Sequence, residues 1–400
     1  MRVVIVTMDS HFGAAVAKAR AALRSEMPGL DLIVHTADEW AGNEAALEAC
    51  HADIARGDIV IAAMLFLEDH IRAVLPALQA RRDGCDAMVG LLSAGEVTKL
   101  TRIGRFDMSV EARGPLALLK KLRGAKKDGA SSGAKQMRML RQLPKLLRFI
   151  PGTAQDVRAY FLALQYWLAG SSDNLANLVR MLVGRYARGD RAALARVAKA
   201  AAPVEYPDVG LYHPRLPGRI GEKLDALPAT GTQGRVGLLV MRSYVLAGNG
   251  AHYDGVIAAL EARGLSVVPA FSAGLDQRPA VEKFFTKDGR ATVDAVVSLT
   301  GFSLVGGPAY NDARAAEDVL AALDVPYITA HPLEFQTLAS WEQDQRGLTP
   351  VEATMMVALP ELDGGMMPLT FGGRCGRDGS AERCPGCETG LAMVFRLMMS

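Results

Sequence analysis

The sequence predicts an α/β protein: two doubly wound, parallel-sheet units of flavodoxin or Rossmann type joined by a helical neck. Three observations predict it. Short apolar runs alternate with amphipathic stretches over residues 3–92 and again over 235–330, as strands buried on both faces do when helices cover them. Between the two series, residues 156–187 carry apolar side chains at helical spacing. At 400 residues, half of them hydrophobic, the chain is long enough for more than one buried core.

In the first unit, bounded at 1–117, VVIVTM (3–8) reads as a strand because β-branched residues crowd it, and GAAVAKARAALRSE (13–26) as a helix. DLIVHT (31–36), a helix near 40–56, DIVIAAML (58–65), a helix over 67–81 and DAMVGLL (86–92) repeat the order, which stops near residue 110. Residues 118–137 read as a basic Gly/Ser linker. The stretch 118–150 holds ten lysines and arginines against one aspartate, a pattern met in solvated loops and in patches for anionic partners alike. The neck spans 138–234. Its helices break at Gly170, and the SSDN that follows offers side-chain acceptors to the free N–H groups of the next helix. Tyr160, Phe161, Tyr166 and Trp167 could form a flat face for a macrocycle, but large rings at helical spacing more often fill a core. In the second unit, 235–370, the strands are RVGLLVMRS (235–243), LSVVPAF (265–271), VDAVVSLT (293–300) and VPYITA (325–330). HYDGVIAALEARG (252–264), closed by Gly264, and DARAAEDVLAALD (312–324) are its helices. A Cys-containing tail, 371–400, completes the chain.

Lysine plus arginine (45) nearly cancels aspartate plus glutamate (43), so the overall field gives no argument for a nucleic-acid partner. The longest apolar run, IVIAAMLFL at 59–67, falls well short of the roughly 20 residues of a membrane span. MRVVIVTMDSHFG reads as a first strand rather than a signal peptide. A cytoplasmic location follows, where clustered cysteines bind metal more often than they pair.

Ligands of doubly wound sheets bind beyond the carboxyl ends of the strands. The candidates there are Arg242 and Ser243 after the first strand, Thr300, Gly301, Gly306 and Gly307 after the third, and His331 after the fourth, with His252 opening a helix. GNGAHYDG and LVGGPA have neither the Walker nor the dinucleotide spacing, and glycine there equally serves positive-φ turns. Glu361 and Asp363 in LPELDGG can hold magnesium or a proton, and an Asp–Gly turn explains them equally well. No catalytic set emerges from spacing. Cys375, Cys384 and Cys387 offer three thiolates, whereas a four-iron cluster or a structural zinc takes four.

MLRQLPKLLRFIPG, LALQYWLAGSSDNLANLVRML, SLTGFSLVGGPA, DVPYITAHPLEFQT and VALPELDGGMMP resemble the large, porphyrin-binding subunits of the magnesium chelatase and cobaltochelatase family. VVIVTMDSHFGAAVAKAR resembles the N-terminal domain of the magnesium enzymes, and the similarity runs from residue 3 to about 374. The resemblance implies insertion of Mg²⁺ into protoporphyrin IX for (bacterio)chlorophyll synthesis. It also implies coupling to ATP hydrolysis by two smaller AAA+-type partners, the I and D subunits, in keeping with the missing Walker motif here. Peripheral membrane contact stays open. Family members are several times longer, so catalytic residues are expected beyond residue 400 and this chain alone is expected to be inactive. In relatives from anoxygenic phototrophs a cysteine-bearing segment follows the PELDG block, which implies an iron–sulfur cluster on Cys375, Cys384 and Cys387. Its fourth ligand would lie in further sequence or be Cys50 or Cys85. The rival readings are cobalt insertion into a corrinoid, against which the MDSHFG domain argues, and a non-catalytic tetrapyrrole-binding or docking module. A periplasmic-type sugar sensor is disfavoured by the missing export signal.

Overall fold

The computed structural model describes residues 1–40, 43–110, 141–307 and 310–374. The chain divides into two compact units, one of Met1–Glu205 and one beginning at Tyr206. In the first, strands β1 (Arg2–Thr7), β2 (Asp31–Thr36), β3 (Ile59–Ala63) and β4 (Ala87–Leu91) run parallel in the order β2-β1-β3-β4, the flavodoxin-like order. Helices α1 (Gly13–Glu26), α2 (Glu44–Arg56) and α3 (Glu68–Arg81) connect them. The helix expected near 40–56 is split: after a single turn at Ala37–Trp40, α2 starts where Asn43 caps it, accepting from the Ala46 N–H at 3.2 Å. Val4, Val6, Val60, Ala62 and Met88 on one sheet face pack with Cys50, Ile54, Ile71, Val74 and Leu78 of α2 and α3. Each fully buried aliphatic side chain there contributes about 1.5–3 kcal/mol.

Beyond β4 the parallel order stops. β5 (Arg102–Ile103) and β6 (Phe106–Asp107) add as an antiparallel pair, because the link from Leu91 holds one helical turn, Gly95–Thr98, and is too short for a crossover. The helices expected in a separate neck belong to this unit. In α4 (Thr153–Ala169) the Tyr160 hydroxyl donates to the Gly90 carbonyl at 3.2 Å. α5 (Ser172–Tyr186) starts where Ser171 accepts from the Asn174 N–H, as the SSDN motif predicts, and lies on α1, with Arg180 reaching both oxygens of Glu26 at 2.8 and 2.7 Å. The short α6 (Ala192–Val197) packs back on α5. Tyr160, Tyr166 and Trp167 are core residues.

In the second unit β9 (Arg235–Leu239), β10 (Ser266–Ser272), β13 (Ala295–Ser298), β16 (Tyr327–Thr337) and β17 (Met366–Arg374) are parallel. β7 (Val209–Tyr212) and β8 (Ile220–Gly221) close the edge antiparallel, giving the sheet order β17-β16-β13-β9-β10-β7-β8. Both edge strands come from the span 138–234 read as neck, and their short, Pro/Gly-flanked sequences carry no strand signal. Helices α7 (Arg242–Ala247) and α8 (Ala251–Glu261) follow β9, α9 (Arg278–Phe284) follows β10, and α10 (Ala313–Leu323) precedes β16. Two short hairpins, β11 (Thr286–Lys287) with β12 (Arg290–Ala291) and β14 (Gly306–Gly307) with β15 (Tyr310–Asn311), decorate the sheet. After β16 come α11 (Leu338–Gln343) and α12 (350–362), whose middle, Ala353–Ala358, is π-helical.

The fourth strand of this unit departs from expectation. β16 does not end at residue 330 but runs on to Thr337, so His331 and Pro332 lie within the strand. The extension survives the proline because β16 pairs with β17 through register shifts, one of them between His331 and Pro332, where a missing N–H is tolerated.

Candidate functional site

In the second unit the strand order reverses between β9 and β13, so the crevice expected for a ligand lies at their carboxyl ends. Thr300 and Gly301 follow β13 there. The Thr300 hydroxyl meets Ser298 Oγ at 3.0 Å and accepts from the Phe302 N–H at 3.3 Å. Gly301 has φ +68°, and a Cβ built on it lies 3.4 Å from His331 Cβ and 3.6 Å from Met356 Cγ. A side chain at this position would be strained by conformation first and crowded second. Thr300, Gly301 and His331, which the sequence singles out separately, thus share one locality.

His331 is 2 % exposed, and its Nε2 meets Thr370 Oγ1 of β17 at 3.0 Å while Nδ1 is buried with no hydrogen-bond partner. Burial lowers its pKa to about 4, so the ring is neutral near pH 7. Asp363, also 2 % exposed, accepts the Leu304 N–H at 2.7 Å and so ties the end of α12 to the loop after β13. Burial raises its pKa against the opposing pull of the Ser303 hydroxyl and the Leu304 N–H. Gly306 has φ +128°, and a Cβ on Gly307 would lie 2.2 Å from Leu275 Cδ1. These two glycines fit a packed hairpin.

The other candidates are placed differently. Arg242 donates from its guanidinium to the Pro207 carbonyl at 2.9 Å and the Tyr206 carbonyl at 3.2 Å, fastening the chain that enters the unit. Ser243 is half-buried in α7, and Glu361 is exposed on α12. His252 opens α8 with its ring centroid 3.9 Å from Tyr253, 5.3 Å from Tyr244 and 5.6 Å from Phe371. Its Nε2 is buried without a partner, and burial lowers the pKa to about 3.

Sequence reasoning missed two acids on this side of the sheet. Glu334 in β16 accepts a hydrogen bond from the Tyr244 hydroxyl. Glu352 is fully buried: its Oε1 accepts the N–H groups of Glu334 and Phe335 at 3.1 and 3.0 Å, and its Oε2 the Thr349 hydroxyl at 2.9 Å. Thr349-Pro350-Val351-Glu352 has capping-box spacing, and that was the available signal. Nothing local says that the glutamate would turn to β16.

Among the described residues no three His, Cys, Asp or Glu side chains converge as a metal site, and no helix is long and apolar enough to cross a membrane. Cys375, Cys384 and Cys387 lie outside the described residues. Cys50 and Cys85 are buried, and desolvation pushes the Cys50 thiol up to about 12 and raises that of Cys85. Both are poorly suited to supply a thiolate.

Both halves of the sequence match known families. A domain of unknown function (DUF3479) matches residues 2–161, and the CobN/Magnesium Chelatase family matches residues 164–398. The chain is 54% identical over 389 residues to the magnesium-chelatase H subunit of Cereibacter sphaeroides, covering 97% of this chain and 32% of the relative. It is 35% identical to the chloroplastic magnesium-chelatase subunit ChlH of rice, Oryza sativa, over 96% of this chain and 28% of the relative. It is 28% identical to the aerobic cobaltochelatase subunit CobN of Pseudomonas aeruginosa over 54% of this chain and 16% of the relative. The chain therefore spans about a third of the length of the bacterial magnesium-chelatase relatives it matches. The catalytic subunit of cobaltochelatase from Mycobacterium tuberculosis superposes on it with a TM-score of 0.47 at 20% identity, covering 98% of this chain and 26% of that one.

Proposed function

The chain belongs to the CobN/magnesium chelatase family, and from that premise we propose that it acts as part of a large magnesium chelatase subunit that binds protoporphyrin IX and receives Mg²⁺ for it. ATP is hydrolysed by partner AAA+ and D subunits, and the product enters chlorophyll or bacteriochlorophyll synthesis in the cytoplasm. The observation that carries the reading is the 54% identity to a magnesium-chelatase H subunit along 97% of the chain. The likeness to a cobaltochelatase subunit is weaker and covers 54% of the chain, so the metal is read as magnesium.

The chemistry sets the needs. Mg²⁺ gives up its octahedral water shell reluctantly, and a free-base tetrapyrrole must lose two pyrrole protons as the metal enters. A partner protein therefore has to hold the macrocycle dry, supply oxygen or imidazole groups in place of water, and take protons. On this chain the strand-end residues Thr300, Gly301 and His331 are our candidates for ligand contact, together with Arg242, Ser243, His252, Gly306, Gly307, Glu361 and Asp363. The neutral His331 imidazole suits an uncharged ring better than a fixed cation would. Cys375, Cys384 and Cys387 would hold an iron–sulfur cluster, which needs a fourth ligand from outside these three.

Deuteroporphyrin fluorescence quenching tests the reading. Titration of the 400-residue chain is expected to give saturable quenching that His331→Gln weakens. Linear, non-saturating quenching equal to that of an unrelated protein would refute tetrapyrrole binding by this part of the large chelatase polypeptide.

A further inference from the structure

Inside the second unit, polar side chains gather where β13 and β16 run side by side. Val296 pairs in register with Tyr327, and Ser298 with Thr329. Alternate residues of a strand share a face, so Ser298, Tyr327 and Thr329 stand on one side of the sheet. Asp363, just beyond α12, belongs to the same locality. After burial, which raises the Tyr327 pKa, Ser298 and Asp363 are the side chains that act on that hydroxyl. Gly365 brings the following chain onto the same place, since a Cβ built on it would lie 2.4 Å from Thr329 Cγ2. Ser298, Tyr327, Thr329 and Asp363 are 2, 4, 3 and 2 % exposed.

The hydrogen bonding of this group is incomplete. Asp363 Oδ2 accepts the Leu304 N–H at 2.7 Å, whereas Asp363 Oδ1, the Tyr327 hydroxyl and Thr329 Oγ1 are buried without a hydrogen-bond partner. Buried polar atoms in native proteins are met by something, and three orphaned oxygens in one locality ask for a shared partner. The charge asks for more. Besides burial, the groups that act on the Asp363 carboxyl are Ser303 and the Leu304 N–H, with no lysine or arginine among them. A water molecule would complete the hydrogen bonds and leave a buried carboxylate uncompensated, which is costly. A divalent ion would bring two charges against one, because Glu361, the other acid of LPELDGG, is exposed. A monovalent cation matches the single charge.

We propose that Asp363 Oδ1, the Tyr327 hydroxyl and Thr329 Oγ1 form a binding site for a monovalent alkali cation, potassium or sodium. Each hydroxyl oxygen offers lone pairs to such an ion while its proton turns towards a neighbouring oxygen. Bound there, the ion ties the end of α12 to β16. It thereby complements Glu352, which ties the start of the same helix to that strand through the Glu334 and Phe335 N–H groups. The inference goes beyond the tetrapyrrole reading and does not rest on it, since no porphyrin enters its test.

Thermal unfolding of the whole chain, dialysed into choline chloride and held at constant ionic strength, tests it. Choline serves as the control because its methyl groups deny oxygen donors a close approach. Replacing choline by K⁺ or Na⁺ is expected to raise Tm by about 2 °C or more and to saturate, as a ligand of the native state alone does. Thr329→Val keeps the shape of the side chain and removes its oxygen, and it is expected to raise the half-saturating concentration about ten-fold or more. Asp363→Asn keeps an acceptor for the Leu304 N–H and removes the charge. It is expected to abolish the cation effect and, in choline, to be no less stable than the parent, because no buried charge is left without a counter-ion. A rise that choline gives equally, a rise that persists in Asp363→Asn, or no response to either alkali ion would each overturn the proposal, the last leaving the orphaned oxygens to water. Saturation by Mg²⁺ at lower concentration than by K⁺ or Na⁺ would overturn it too, by making the site divalent.

Discussion

His252 and His331 are buried as neutral rings, and stability must depend on pH because of it. Each has a folded-state pKa depressed by burial, to about 3 and about 4, from an ordinary value of 6.5. Above that ordinary value both rings are neutral, folded or unfolded, and contribute no slope. As pH falls below it the unfolded chain takes up protons that the native one refuses, so stability drains away between pH 6.5 and about 4. At about pH 4.5 the loss is roughly 3 kcal/mol per histidine. Asp363, whose pKa is raised, works in the opposite direction, because its native form holds a proton more readily than its unfolded form. Urea unfolding followed in the second unit should show a midpoint flat from pH 8 to 7 and falling below 6.5, with His331→Gln shallower in that window. A midpoint constant down to pH 5 would mean that these rings are not buried as described. The residue types at such positions were legible in the sequence, and Gly301 does lie beside His331. Their neutrality was not, because a pKa is set by what surrounds the ring, and Thr370 beside His331 and Phe371 beside His252 come from β17, distant in sequence from both histidines.

At the scale of elements, the sequence carried most of the alternation because buried strands and amphipathic helices have different periods. The SSDN cap read well, Ser171 accepting the N–H three residues on; Asn43 and Asp312 cap their helices in the same way but were not singled out in the sequence. What escaped were elements specified by partners. β5 through β8 are short and antiparallel, and they exist because an edge strand was there to pair with. The extension of β16 is likewise held from outside, by Glu352 gripping two of its N–H groups. Glu352→Ala leaves those two donors and the Thr349 hydroxyl without their acceptor in a buried place, at a cost of about 3 kcal/mol or more. Hydrogen exchange at Glu334 and Phe335 is expected to accelerate far more than at β9. Uniform acceleration across the sheet would show that the grip is not local.

On the scale of the whole molecule, each unit has its own sheet and its own apolar clusters, and both sheets use the same strand order in their parallel part. The division was legible where apolar alternation stops and restarts. The assignment of the middle helices was not, because helical spacing shows that a face is buried without showing against what. Neither unit's sequence carries a Walker or dinucleotide-binding fingerprint. Replacing the corresponding front portion of the Cereibacter sphaeroides magnesium-chelatase H subunit with this chain addresses the functional reading directly. Combined with the small partner subunits, protoporphyrin IX, Mg²⁺ and ATP, the folded hybrid is expected to form the magnesium porphyrin at a rate within about ten-fold of the parent, as followed by fluorescence. A hybrid that folds, binds its partners and yields no magnesium porphyrin would contradict the role given to this chain.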